Sequence, residues 1–555
     1  MKNLFQHIIR ILSKKEKKQF YWLIIFNTAI NIADIVFIAL LLFIINFYIH
    51  PVEIAPGFIP TWLADSKSPA LIITFFILFA LKNGLAYFII NYQFRYAYDI
   101  AGRISRQQLY DYLQKDYLEH VRTDSSVYMR KIGQQPMEFC QYVLTGTQQV
   151  ISQGILILLA TTAILLFKAK LFLLLLAILL PAVIVAAGLM KRKLKSVRLQ
   201  TKISSENALQ HLKEALNGYV EGNIYNAKDF LSNRFGRFQT ALNTNLGDLQ
   251  VIQNIPNRLL ELFAVMGLLI LMLINRSANN SSEGLLIIGA FMGAAYKIIP
   301  GIVKIISLSG QIAAYKFSIE GLQFEESGKK NKTEYGEAVS INSIRLKNIN
   351  FHFEHRSILE NVSLCVQKGD FLVITGESGT GKTTLINILC GFIVPSSGET
   401  FINKAPLENK EMKSYWSQIA YIKQQSFLLH DTLLRNITLQ EGAYNVDRLR
   451  QAMEISGLNQ VIEGWPERLN KIIAEDGRNI SGGQRQRIAI ARAMYKYPDL
   501  VILDEPFSEL DDESENELLN NLKEAAAKGK IIVLVTHNKK SLDFCNKSMV
   551  LNEIE

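Results

Sequence analysis

Hydrophobic positions come first as long unbroken runs and only later as short ones between polar turns. Residues 20–48, 69–93, 143–167, 171–190, 258–275 and 285–308 each approach the ~20 apolar residues that carry a helix across hydrocarbon, so six spans are expected within residues 1–315. Ahead of them Leu4, Ile8, Ile9 and Leu12 share a helical face, and Lys14, Lys15, Lys17 and Lys18 follow. That pattern predicts an amphipathic helix lying on the cytoplasmic leaflet. Connections at 49–68, 168–170 and 276–284 are short, whereas 94–142 and 191–257 are long, polar and helix-favouring. Folded as about 25 residues out and 25 back, each long stretch would project roughly 37 Å beyond the membrane. The turns fall near Tyr117–Arg130 and Asn217–Asp229. Residues 316–343 lose hydrophobicity and read as a linker, and from 344 to 555 short apolar strands alternate with helices, the pattern of an α/β domain.

Composition agrees with this division. At 555 residues and 49% hydrophobic content, the chain needs two or three domains and part of it belongs in lipid. The net charge of +10 is concentrated in places such as the N-terminus and Lys191–Lys195, so the N-terminus and the C-terminal half are expected to face the cytoplasm, with no nucleic-acid partner. The four cysteines show no CxxC spacing and read as reduced thiols. No cleaved signal peptide is expected. Asp34, Lys82 and Lys297 are charges within spans, and such charges face a bundle interior or a wet cavity. Asp34 and Lys82 fall at similar depth and could pair. Both a structural pair and a substrate-contacting cavity, with Lys297, remain open. Pro300-Gly301 would loosen the sixth span.

The sharpest chemistry lies in Gly376-Glu377-Ser378-Gly379-Thr380-Gly381-Lys382-Thr383-Thr384, between an apolar strand (Phe371 to Ile374) and a helical segment (Leu385 to Leu389). A strand, a glycine loop and a helix in that order form a phosphate-binding loop. Its backbone N–H groups converge on phosphate oxygens, Lys382 supplies a point charge, and the Thr383 hydroxyl is placed for Mg²⁺. The chain is therefore expected to bind a nucleoside triphosphate, and the C-terminal domain to be an α/β P-loop NTPase. Val501-Ile502-Leu503 leads into Asp504, placed to hold Mg²⁺, and Glu505, placed to polarise an attacking water. Ser481-Gly482-Gly483-Gln484 opens a helix, a second anion-receiving terminus, with the helix itself expected over Arg485 to Tyr497.

With these motifs in this order, residues 344–555 resemble the nucleotide-binding domain of the ATP-binding cassette (ABC) family. The resemblance implies that the Ser481–Gln484 signature of one copy closes over ATP held by the phosphate loop of another. It further implies that Gln424 senses Mg²⁺, His537 contacts the γ-phosphate, Phe353 stacks on adenine, and Ser508 and Asp511 belong to a loop crossing the dimer interface. Glu475-Asp476-Gly477 would contact intracellular helices. Phe353 replaces a more usual tyrosine, Lys423 a proline and Glu509 an alanine, and none of these removes a catalytic group.

The N-terminal part resembles the six-helix exporter type by architecture. The run Ile11 to Lys18 and the acid of the first span are similar to lipid-linked oligosaccharide flippases over a few dozen residues. The expectation is an ATP-hydrolysing half-transporter that pairs with a second copy of itself, a heterodimer being the alternative. It would move an amphiphile (a lipid, lipid-linked sugar, peptide or drug) across the bacterial plasma (inner) membrane. An ATP-gated channel or regulator, or an importer of exporter fold, is the rival reading.

Overall fold

The computed structural model describes residues 2–49, 69–167, 169–277, 281–319, 322, 339–353, 356–407 and 412–551. The chain divides into two units, one of residues 1–115 and 119–326, the other of residues 116–118 and 327–555.

The first unit is helical. Its long helices are Lys14–Ile49, Ala70–Leu113, Thr145–Phe167, Ala169–Asn217, Lys228–Ser277 and Ser281–Ala314. Among the described residues, three stretches are long and apolar enough to cross a membrane: Lys14–Ile45, Ala70–Leu113 and Ser125–Thr162. Side chains 273–297 lie outside the described residues, and with them that of Lys297. The first half of Ala70–Leu113 is apolar apart from a few positions such as Lys82 and Asn83, and Phe76 and Phe88 stand 68% and 67% exposed, an arrangement suited to hydrocarbon and not to water. Its second half buries Gln93, Tyr96, Ala97, Ile100, Ala101, Ile104 and Gln108, one stripe at helical spacing. That stripe belongs to a core shared with Phe20, Leu23, Phe139, Val143 and Leu144.

The lead-in helix, Lys2–Ile11, forms as the pattern predicts, but its placement differs. Ile8, Ile11 and Leu12 are buried in the same protein core instead of facing a leaflet. The reason is a polar clamp next to them. Ser13 and Glu16 cap the following helix reciprocally, and Arg103 donates to both Glu16 carboxylate oxygens (2.7 and 2.9 Å) and to the Ile11 carbonyl (3.1 Å).

The long connections are helical. The first turns through Tyr117–Arg122 and Ser125–Met129 and continues through two π-helical turns, Arg130–Gln134 and Phe139–Leu144. The second turns at the short helix Tyr219–Ile224. Pro181, Pro256 and Pro300 lie inside long helices.

The second unit carries two sheets. The antiparallel one runs in the order Arg356–Gln367, Ser343–Phe353, Ser397–Ile402, Ala405–Pro406. The parallel one runs Lys547–Leu551, Phe371–Gly376, Ile531–Val535, Leu500–Asp504, Ile419–Ile422. Its central strands are apolar without alternation and wholly buried, as a parallel sheet covered on both faces requires. Register brings the chemistry together: Val535 pairs with both Ile374 and Asp504, so three strands end at one level. The phosphate loop, the Asp504-Glu505 pair and His537 all leave the sheet at that carboxyl edge, where parallel sheets bind ligands. Residues 116–118 group with this unit, where the Tyr117 ring stacks on Phe392 (5.2 Å between centroids) and Lys413 lies 3.1 Å from the Asp116 carboxylate.

Candidate functional site: a nucleotide cavity at the sheet edge

The phosphate loop follows Phe371–Gly376 and ends at the helix Lys382–Leu389. Gly381, at φ +89°, makes the left-handed step that turns the helix N-terminus into the loop. A Cβ at this position would stand 2.8 Å from both the Ile358 carbonyl and Leu359 Cδ2. Gly381→Ala is therefore expected to cost about 2 kcal/mol in backbone strain and contact, and to weaken nucleotide binding further by displacing the loop. Thermal unfolding and nucleotide titration of the same variant check both effects. The loop is braced from within: Thr380 Oγ1 donates to the Glu377 carbonyl (2.9 Å), and Lys382 Nζ donates to the Gly376 and Glu377 carbonyls (2.7 Å each).

Ser378, Gly379, Thr380, Gly381, Lys382, Thr383 and Thr384 line a cavity of about 480 Å³, joined by Glu505 and by Arg356, Ser357 and Ile358. Phe353 ends its strand 46% exposed and pairs in register with Arg356, which lines the cavity, whereas Phe353 itself does not. The Ser481–Gln484 segment does not line this cavity.

Glu505 sits at φ +49°, an uncommon backbone for a residue with a side chain, with its N–H bonded to the Val535 carbonyl at 2.9 Å. Its carboxylate meets His537 Nε2 at 2.5 Å and accepts from Gln424 Nε2 at 3.0 Å. Asp504 accepts from the Tyr421 hydroxyl at 3.2 Å. Burial lifts the Asp504 carboxyl above its ordinary value; the Tyr421 hydroxyl opposes the lift and the Glu505 charge adds to it. A half-buried acid in this condition gains from a cation. Thr383, Asp504 and Gln424 offer the hard oxygen donors that Mg²⁺ takes, few enough for phosphate oxygens and water to complete the shell. Among the described residues no group of three His, Cys, Asp or Glu could hold a metal alone.

The signature helix starts three residues earlier than its sequence pattern suggested, at Gly482–Tyr495. Ser481 is its N-cap, and Ser481 and Gln484 form a capping box, which brings the glycines inside the first turn. Ser508 accepts from Gln486 at 3.4 Å, and Asp511 caps Asp512–Ala527 by accepting from Ser514 N–H at 2.7 Å. That N–H holds the Asp511 carboxyl below its usual range. Glu475–Gly477 is a 3-10 turn with Asp476 at φ +53°.

In the helical unit, Lys82 Nζ stands 2.6 Å from Asp34 Oδ1 and 4.6 Å from the centre of the Phe79 ring. A set of uncharged polar contacts missed by sequence reading runs beside this pair: Thr28 and Asn31 to Ser152 (3.2 and 3.1 Å), Asn27 to Gln93 (3.4 Å) and Gln93 to Gln148 (2.9 Å). Arg356 and Tyr421 were missed too. Arg356 lies outside every motif, and Tyr421 opens the stretch that carries Gln424 without a role of its own being read there. All four cysteines are free, and burial pushes the Cys390 thiol up to about 12, an inert group at neutral pH.

Comparison with known proteins agrees with this geometry. Residues 359–508 match the ABC transporter family. The chain is 26% identical over 428 residues to an ATP-dependent lipid A-core flippase of Ralstonia nicotianae, covering 74% of this chain and 70% of that protein. A flippase of the same description from Burkholderia pseudomallei is 27% identical, with 68% and 64% covered. Alpha-hemolysin translocation ATP-binding protein HlyB of Escherichia coli O157:H7 is 34% identical over 211 residues, 38% of this chain and 30% of that one. The solved structure of a bacterial Atm1-family ABC exporter with ATP bound superposes with a TM-score of 0.75 at 17% identity, covering 98% of this chain and 95% of that one. Residues 359–508 thus carry the domain of the ABC transporter family, and nearly the whole chain shares the fold of an ABC exporter.

Proposed function

We propose that two copies of this chain form an ATP-driven transporter that moves an amphiphile across the bacterial plasma membrane by alternating access. One observation carries the pairing: the phosphate-loop cavity holds Lys382 and Glu505 but none of Ser481–Gln484. The chain owns a second anion-receiving terminus that its own nucleotide cavity does not use, and a second copy would supply it there. Phe353 stacks on the base, Gly376–Thr384 bind the phosphates, and Glu505 withdraws a proton from the attacking water. His537 and Gln424 keep Glu505 aimed. Mg²⁺, held by Thr383, Asp504 and Gln424, would offset phosphate charge. Ser508 and Asp511 place the loop between the copies. Closure of the pair favours one state of a six-span helical bundle and hydrolysis releases it, a two-state element biased by its ligand. The names of the relatives favour a lipid-like cargo. The test is the purified protein in liposomes. ATP-dependent, one-way movement of an amphiphile is expected, whereas ion conductance, or full ATP turnover by a strict monomer, would overturn the reading.

Of the two roles open to Asp34 and Lys82, their geometry favours a tie between helices. They stand 2.6 Å apart with 12% and 25% of their side chains exposed, the geometry of an ion pair between two helices. Lys82→Met takes the cation away from Asp34 at membrane depth and is expected to destabilise the protein by about 3 kcal/mol and to reduce transport. Adding Asp34→Asn removes that acid and should restore most of both. If the double variant is as defective as the single one in a transport assay, the pair meets substrate instead.

A further inference from the structure

Glu509 is a charge the scheme above does not use. The turn that carries it is fixed: Leu510 N–H donates to the Phe507 carbonyl (3.1 Å), Phe507 is buried, and Gln486 holds Ser508 at 3.4 Å. This delivers the Glu509 side chain onto the first turn of the signature helix. Its carboxylate lies over Gly482 so closely that a Cβ on that residue would overlap it. A Cβ on Gly483 would likewise stand 2.8 Å from Leu510 Cδ2. Arg485 lies 3.8 Å from the carboxylate, and Glu509 is 51% exposed, so this ion pair is too long and too solvated to account for the placement. The carboxylate therefore lies at the positive end of Gly482–Tyr495, which attracts an acid as it would a phosphate.

We propose that Glu509 is a built-in competitor for the nucleotide's terminal phosphate. With the pair of copies open, it occupies the mouth of the signature helix. When the copies close, the γ-phosphate carried by the partner must displace it and then sits beside its charge. Glu509 thereby raises the ATP concentration at which the clamp closes and hastens its release. The inference rests on the paired-copy reading above and adds to it a residue that tunes nucleotide dependence.

The test uses full-length protein in liposomes, in a Glu505→Gln background that retains ATP, and measures the ATP concentration giving half-maximal occlusion. Glu509→Gln, nearly the same shape without the charge, is expected to lower that concentration about fivefold, and Glu509→Ala to lower it likewise. The gap between variant and parent should narrow as salt rises, because a like-charge contact this exposed is screened. A purely structural role would leave no such salt dependence. Equal half-saturation of parent and both variants at low salt overturns the competitor role while leaving the clamp intact. Failure of the Glu505→Gln parent to occlude ATP at any concentration overturns the clamp itself, and this inference with it.

Discussion

Glu505→Gln is expected to bind ATP and to hydrolyse it about 10²–10⁴-fold more slowly, the range a positioned general base supplies. The carboxylate is placed by contacts that say little about stability and much about aim. The Val535 carbonyl holds its backbone N–H at 2.9 Å, while His537 and Gln424 hold its two oxygens at 2.5 and 3.0 Å. An amide keeps the size, and its oxygen can still accept from Gln424, but it cannot take a proton from water. Phosphate release measured beside equilibrium ATP binding separates the two effects. Near-normal release with intact binding would remove Glu505 from the role of base and point to His537, the group in contact with it.

Lys382→Ala should fail one step earlier. The ammonium is buried and bonded to two carbonyls of its own loop, at 2.7 Å each, in a cavity lined by the loop. Phosphates offer the same ammonium a full negative charge in place of those neutral acceptors. Charge-assisted bonds contribute about 1.5–3 kcal/mol each, so losing the group should weaken ATP binding about a hundredfold. Nucleotide titration by calorimetry reads this directly. Affinity within a few-fold of the parent would mean that the backbone N–H groups alone hold the triphosphate.

The candidate nucleotide site was legible in the sequence because its residues lie in short contiguous motifs whose spacing follows from strand, loop and helix geometry. Gly376 to Thr384 and Asp504-Glu505 needed only a strand before them. What could not be read was anything produced by the pairing of distant segments. Arg356 reaches the cavity because its strand pairs with the one ending at Phe353, and Tyr421 reaches Asp504 because strand Ile419–Ile422 lies beside Leu500–Asp504. The lead-in helix shows the opposite error. Its apolar stripe was read correctly, but periodicity does not say what a stripe faces, and here the Arg103–Glu16 clamp turns it toward protein. In the helical unit, uniformly apolar runs gave away helix positions but not the polar ties such as Gln93–Gln148.

The two units are built round separate interiors: one gathers Phe20, Ile100, Phe139 and Leu260, while the other is split across the parallel sheet between groups led by Phe371 and by Leu372. Melting of such a chain is not a single cooperative event, and one midpoint temperature does not describe it. Damage to either interior should appear as a shift of its own transition in a calorimetric trace, so the denaturation profile reports which half of the machine a defect has loosened.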